Sequence, residues 1–315
     1  MILAVSRARQ SGAALLAVLV VSVVLVTLLA SAALIMDNRL QLAEQARQQF
    51  TDGAAAYAKT NELIYLLATQ RLTVAGISQG SNQQGLQRNE DGQFIQRISG
   101  DEWRTDGFIY EEGNIQFSIQ NENGLLPVNS AFQYWLKRWL QNKGYSNTEQ
   151  AFLTDRLADY ADADDWHRAG GAERRDYERL GKRSPANFLL QQCAELYLVD
   201  RWPPVIEKHP AILGHCSLRR SPQLNINAVP LSLWQVLWPA SAEKVAAARA
   251  AGDWVVHYQD AYKIEPTLLL ESEDRYSPLG GDRFVLSVKA PGTDYRLSIE
   301  RGTKNARPFT QRVIF

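Results

Sequence analysis

The stretch Ala13–Met36, AALLAVLVVSVVLVTLLASAALIM, carries no charged residue. At ~1.5 Å rise per residue, a helix of this length crosses a ~30 Å hydrocarbon core with some tilt. A helix pairs every backbone N–H and C=O internally, which an open segment in lipid requires. Arg7 and Arg9 precede the stretch, and Asp37-Asn38-Arg39 follow it. The pattern predicts a single anchor near the N-terminus. The basic leader is expected to stay cytoplasmic, with residues from about 37 onward on the other side. Two rival readings concern processing. Ala30-Ser31-Ala32 fits the small-x-small rule of a secretory signal, although the apolar run before it exceeds the usual ~7–15 residues. A third reading has the chain cut ahead of the apolar run, after Gly12.

The totals narrow the function classes. Lys+Arg and Asp+Glu are balanced at 34 each, and no Lys/Arg run is present, so a nucleic-acid partner is not expected. An apolar content of 45% and an aromatic content of 10% suffice for a packed core. The two cysteines, Cys193 and Cys216, form a disulfide if the compartment is oxidising; otherwise they are two buried thiols. Such a bridge is worth roughly 3 kcal/mol in the chain-entropy account.

Beyond Asp37 the helical pattern continues to about Thr73. Ala43, Ala46, Phe50, Ala54, Tyr57, Ile64 and Ala68 form one stripe, read as the face that packs on a globular domain. Gly76–Gly92 reads as a loop. Phe94–Ile98, Phe108–Glu111 and Ile115–Gln120 read as short strands, the last with clear alternation. From Leu125 to Gly252 the pattern is helical with Pro and Gly breaks: Ala131–Asn142, Thr148–Ala161, Ala186–Val199, Leu231–Leu237 and Ala240–Ala251. Ser241 is read as an N-cap and Gly252 as a C-terminal stop. Strands are expected again from Ile264: the apolar run Thr267–Leu270, then Arg283–Lys289 and Tyr295–Arg301 as a hairpin closed by Ala290–Asp294. The expected fold class is α+β. It comprises a leader (1–12), a transmembrane helix (13–36), its amphipathic continuation (37–75), a sheet domain in two parts (76–124 and 264–315) and an all-α insertion (125–263).

Few residues suggest catalysis. Gly76-Ile77-Ser78-Gln79-Gly80 matches G-x-S-x-G, but it follows a helix and enters a polar loop, not the strand-to-helix elbow that exposes a nucleophile. His167, His209, His215 and His257 lack zinc-ligand spacing. The helix–turn–helix rhythm of Leu231–Gly252 is read as packing. The acidic group Asp155, Asp159, Asp162, Asp164 and Asp165, followed by Gly170-Gly171-Ala172-Glu173, is more pointed. Oxygen ligands on a loop suit Ca²⁺; the plainer alternative is a solvated helix end paired with Arg168, Arg174 and Arg175. No cofactor is required by any other feature.

Several segments, in order along the chain, resemble general secretion pathway protein K, the large minor pseudopilin of type II secretion systems within the type IV pilin-like superfamily. Arg9-Gln10-Ser11-Gly12-Ala13-Ala14-Leu15 looks like a prepilin cleavage site. Leu157-Ala158-Asp159-Tyr160-Ala161-Asp162-Ala163-Asp164, with Gly171-Ala172-Glu173 and Tyr177, is similar to that family's acidic signature. Pro185-Ala186-Asn187, Glu195–Val199 and Leu224-Asn225-Ile226-Asn227-Ala228 are similar to later segments. The resemblance implies cleavage by a prepilin peptidase between Gly12 and Ala13, with N-methylation of Ala13. It also implies a pilin-like antiparallel sheet domain with a helical insertion, in a bacterial inner-membrane, single-pass protein whose C-terminal domain is periplasmic. Its implied partners are the I-type and J-type minor pseudopilins and other pseudopilins, at the tip of a pseudopilus that exports folded proteins, with no catalysis. Ala17 stands at the fifth mature position, where most pilin-like subunits carry Glu, an expensive charge in lipid without a partner. The resemblance strengthens the case for a cation near Asp162, Asp164 and Glu173, while Arg174 departs from the acid usual after Gly-Ala-Glu. Ala228 and Val229 also depart from the usual order. The alternatives are a minor pilin of a type IV pilus and, from another class, a membrane-anchored periplasmic enzyme or binding protein.

Overall fold

The computed structural model describes residues 11–79, 86–88, 94–272, 274–302 and 307–313. The apolar run and its continuation form one uninterrupted helix, Ser11–Thr69, 59 residues long. Leu15 to Thr51 lie exposed along it. The helix then meets a five-stranded antiparallel sheet, which in spatial order runs Phe309–Val313, Thr293–Arg301, Arg283–Ala290, Ile115–Asn121 and Tyr110–Glu112.

One sheet face covers the C-terminal part of the helix. Alternation in Ile115–Asn121 turns Phe117 and Ile119 inward, and alternation in Arg283–Ala290 does the same for Phe284, Leu286 and Val288. These residues pack with Ala56, Leu63, Ile64 and Leu67 of the helix. Strand period and helix period thus supply matching apolar faces. The hairpin turn is tighter than expected: Ala290 pairs with Thr293, leaving Pro291-Gly292 as the loop. Gly292 adopts φ +75°, a conformation that glycine takes without steric cost.

The stripe expected to pack on the sheet points the other way. Phe50 is 79% exposed and Tyr57 61% exposed, and Ala54 is exposed as well. The buried face instead contains Ala56, Lys59, Thr60, Leu63, Ile64 and Leu67. Only Ile64 of the expected stripe is buried. Periodicity identifies an apolar face but not its partner, and this helix has two faces with claims to burial. Lys59 succeeds inside because its ammonium pairs with Glu112 Oε2 at 2.7 Å and lies 4.6 Å from the Phe117 ring centroid.

A second core unites the helical body. It runs from Leu126 to Tyr276 and includes Trp135, Leu136, Trp139, Leu157, Tyr177, Trp202, Ile206, Trp234 and Leu237. Tyr134–Asn142 and Asn147–Ala161 form the expected helix pair. The second starts in a capping box, in which Ser146 and Glu149 exchange side-chain and backbone hydrogen bonds. Short parallel pairs stitch the body: Leu126–Pro127 with Cys216–Ser217, and Leu224–Asn225 with Tyr276–Ser277.

Three local expectations fail here. Ala186–Val199 is not a helix; only Cys193–Leu198 forms a 3-10 turn. The Leu190 N–H and C=O are both bonded to the Asn129 side chain, at 3.0 Å each, which holds that segment extended. Thr267–Leu270 lies in a 3-10 turn, not a strand, and Leu268 is buried in the helical core. The helical body therefore runs on to Tyr276. Ser241 does not cap the Ala242–Ala251 helix with its side chain. Its hydroxyl instead donates to Glu265 Oε2 at 2.5 Å and accepts from Trp234 Nε1 at 3.1 Å. Gly252 does end that helix, at φ +81°.

Candidate functional site

The acidic signature lies where Asn147–Ala161 ends and the chain turns back toward Arg174–Arg179. Asp159 is fully buried, in the helix's last turn. Arg168 returns to it from the loop: its N–H reaches Asp159 Oδ2 at 3.2 Å and its Nη1 reaches Asp159 Oδ1 at 2.5 Å. The same Nη1 meets Asp162 Oδ2 at 2.5 Å. The two glycines serve this close approach. A Cβ on Gly171 would stand 1.7 Å from Asp159 Oδ2, so no other residue fits there unless the carboxylate moves. The Gly170 N–H donates to Asp155 Oδ2 at 3.0 Å.

Beside this pair the carboxylates are poorly matched. Glu173 is buried and neither of its oxygens accepts a hydrogen bond; Asp162 Oδ1 is in the same condition. Burial, and next the negative charge of Asp159, Asp162, Asp165 and Asp164, pushes the Glu173 carboxyl up to about 7. Burial also raises Asp162, against the pull of Arg168. Asp164 is exposed, and its Oδ1 accepts the Trp166 N–H at 2.8 Å. Asp162 and Asp164 both lie near enough to Glu173 for their charges to raise it, but Asp164 is exposed whereas Glu173 is buried. As they stand, no three His, Cys, Asp or Glu side chains among the described residues converge closely enough to hold a metal ion. Buried carboxylate oxygens without donors are costly, and this unmet demand is the feature of the group that a hard cation would address.

The remaining candidates are scattered. The Sγ atoms of Cys193 and Cys216 are bonded, tying the 3-10 turn to the strand pair beside Leu126. The Gly12–Ala13 junction falls in the first turn of the long helix, and residues 1–10 lie outside the described residues. Ser78 is buried on a turn just after the two-residue strand Gly76–Ile77, with its N–H bonded to Arg71 O, and is not on a strand-to-helix elbow. The histidines have separate surroundings. His167 pairs with Asp176 and His215 with Ser232, while His209 packs its ring edge-on to Trp139.

Two joints between sheet and helical body escaped the sequence reading. Arg249 reaches Asp106, Val229 O and Ile226 O. Arg219 donates to the backbone oxygens of Glu122, Asn123, Leu125 and Gln223. Nothing in the local pattern marks either arginine, because their partners are up to 143 residues away.

The family described as Type II secretion system (T2SS), protein K, matches residues 115–208. By fold, the chain is similar to a chain in the crystal structure of the GspK-GspI-GspJ complex from the type 2 secretion system of enterotoxigenic Escherichia coli. That likeness has a TM-score of 0.51 at 13% identity and covers 88% of this chain and 98% of that one. A search of curated proteins by sequence found no match.

Proposed function

We propose that this chain, whose residues 115–208 match the family described as Type II secretion system (T2SS), protein K, is a structural minor pseudopilin that sits at the pseudopilus tip and helps initiate it. The observation that carries this reading is the helix Ser11–Thr69. Its first half is apolar and exposed over a membrane-spanning length. Its second half binds its own sheet by one face and leaves Phe50, Ala54, Tyr57, Asn61 and Tyr65 exposed on another. Steps of three and four residues put these five on one stripe. A helix so divided suits a subunit that is held in the membrane and packed against neighbouring helices.

The partners that fit this face are the I-type and J-type minor pseudopilins, as in the complex of the structurally similar protein. Ala17 supports an apical position, since a subunit with no neighbour above it has no amine to offer a buried Glu. The helical body adds bulk on the periplasmic side of an inner-membrane anchor. Export of folded periplasmic proteins follows from that place in the assembly, and no chemical step is asked of the chain.

Processing is the decisive test. A prepilin peptidase cut after Gly12 leaves Ala13 as an N-methylated first residue. N-terminal sequencing and intact mass of the membrane form are expected to report that start. A start at Ala33, or an uncut Met1, overturns the reading.

The acidic pocket is proposed as a structural divalent-cation site, with Ca²⁺ held by Asp162, Asp164 and Glu173. The support is the buried Glu173 carboxylate, which has no hydrogen-bond donor. A shift of the full chain's melting temperature by Ca²⁺ over EGTA tests this reading.

A further inference from the structure

The five-stranded sheet ends differently at its two edges. A free edge strand presents unpaired backbone groups to any extended chain, and proteins usually blunt it by shortness or charge. Tyr110–Glu112 is blunted in both ways: it has three residues, Glu111 accepts from Gln116, and Glu112 is held by Lys59 at 2.7 Å. Phe309–Val313 has five residues and pairs continuously with residues 297–301, without a bulge. Among the described residues no strand pairs with its other side, and Thr310 and Gln311 are exposed.

The backbone register shows which groups the open edge offers. The Gly302 N–H donates to Pro308 O at 3.0 Å, so these two residues form a hydrogen-bonded pair. Arg301, one residue earlier, turns its N–H the other way, to Asp282 O at 2.9 Å. In an antiparallel ladder, hydrogen-bonded pairs recur at every second residue. Glu300 with Thr310 and Ser298 with Arg312 are therefore the next such pairs. Thr310 and Arg312 spend their backbone groups inside the sheet, and Phe309, Gln311 and Val313 turn theirs to the open side.

We propose that this edge takes an acidic, extended segment of another polypeptide as an added strand. The sign of the partner follows from the sequence. From Arg301 to Phe315 the chain carries Arg301, Lys304, Arg307 and Arg312, and no Asp or Glu. Glu300, the acid just before this stretch, is paired with Arg283 at 3.2 Å. Arg307, ahead of the edge, and Arg296, in the neighbouring strand, are exposed. Two copies of this edge would set like charges side by side, which disfavours pairing of the chain with itself. The acidic edge Tyr110–Glu112 of a second copy offers only three residues, and its two carboxylates are already engaged. In strand addition, main-chain hydrogen bonds supply affinity and side chains supply selectivity. The inference stands apart from the reading of the helix stripe, because the two surfaces share no residue.

Binding of a fluorescein-labelled peptide that alternates Val and Glu to the full chain in detergent, read by anisotropy, tests the proposal. The wild type is expected to bind it, and to bind the same peptide with Lys in place of Glu about tenfold more weakly or worse. Gln311→Pro removes one outward donor and leaves the chain's own ladder intact, since proline is tolerated where the N–H of an edge strand faces solvent. Its affinity for the Glu peptide should fall by about tenfold or more. Amide exchange on the wild type alone guards against a misfolded variant. With the Glu peptide bound, the Phe309 and Gln311 amides should exchange severalfold more slowly, while the Thr310 amide, already bonded within the sheet, should not change. No binding of the Glu peptide overturns the proposal, as does equal binding of the Lys peptide. Unchanged exchange at Phe309 and Gln311 where the peptide binds overturns strand addition, and so does a folded Gln311→Pro that binds like the wild type.

Discussion

Arg249 Nη1 donates to Asp106 Oδ2 at 2.8 Å, and neither side chain is more than 2% exposed. The contact joins the Ala242–Ala251 helix of the helical body to the loop that leads into the sheet's edge strand. Asp106 also takes two bonds from Arg104, and the Arg249 guanidinium satisfies two backbone carbonyls. Burial lowers the Arg249 guanidinium to about 10, and Asp106 opposes that shift, so it stays charged at neutral pH. Removing one member of a buried pair leaves the other uncompensated, typically at a cost of about 3–5 kcal/mol. Arg249→Met is therefore expected to lower stability by about that amount in urea denaturation of the full chain in detergent. A loss below about 1 kcal/mol would mean that Arg104 and the surrounding carbonyls suffice without it.

The Cys193–Cys216 bridge closes a segment with a sequence separation of 23. Restricting the unfolded chain over a loop of that size is worth roughly 3 kcal/mol. Cys193→Ser with Cys216→Ser should lower the urea midpoint accordingly, and dithiothreitol should shift the wild type but not the double variant. Equal midpoints for the oxidised wild type and the double variant would show that the bridge adds no net stability.

The two faces of the long helix should separate stability from assembly. Leu63 is fully buried against the sheet, and Leu63→Ala is expected to cost about 2–5 kcal/mol. Tyr57 is exposed, and Tyr57→Asp should change the subunit's own stability by no more than about 0.5 kcal/mol. The same change should abolish co-purification with the I-type and J-type partners from membranes. Intact co-purification by Tyr57→Asp would remove this stripe from the interface.

What was legible in the sequence was whatever local spacing controls. The charge-free run announced the long helix. Ile115, Phe117 and Ile119 announced a half-buried strand, and Arg283–Arg301 a hairpin. The facing of the helix was not legible: Phe50 and Tyr57 look more like core residues than Lys59 does, and besides Glu62 on its own helix it is the Glu112 carboxylate and the Trp103 and Phe117 rings, far off in sequence, that make Lys59 tolerable inside. The Ala186–Val199 segment looked helical because its apolar residues fit that period, whereas Asn129, 61 residues away, claims the Leu190 backbone. At the candidate site the acids stood out as a group. Arg168 read as one of three neighbouring arginines, and only the return of the loop at Gly170-Gly171 distinguishes it from Arg174 and Arg175.

Glu173 should give the protein an unusual pH response when no divalent cation is present. Its ordinary value is 4.5, and in the folded chain burial and the surrounding aspartates push it up to about 7. Between those values the folded state binds more protons at this site than the unfolded state. Stability contributed here is therefore present below about pH 4.5 and is lost as pH rises through 7. At ~1.4 kcal/mol per pH unit the whole effect is at most about 3.5 kcal/mol. Other carboxylates titrate over the same range, so the informative quantity is the difference from Glu173→Gln, which keeps the shape and removes the charge. In EGTA, the variant should gain on the wild type as pH rises from 5 to 8, by up to that amount in urea denaturation. Adding Ca²⁺ at pH 8 should restore the wild type and leave the variant largely unmoved. Parallel pH profiles for the two proteins in EGTA would show that Glu173 is ionised without penalty, and that the pocket has no unmet charge for a cation to relieve.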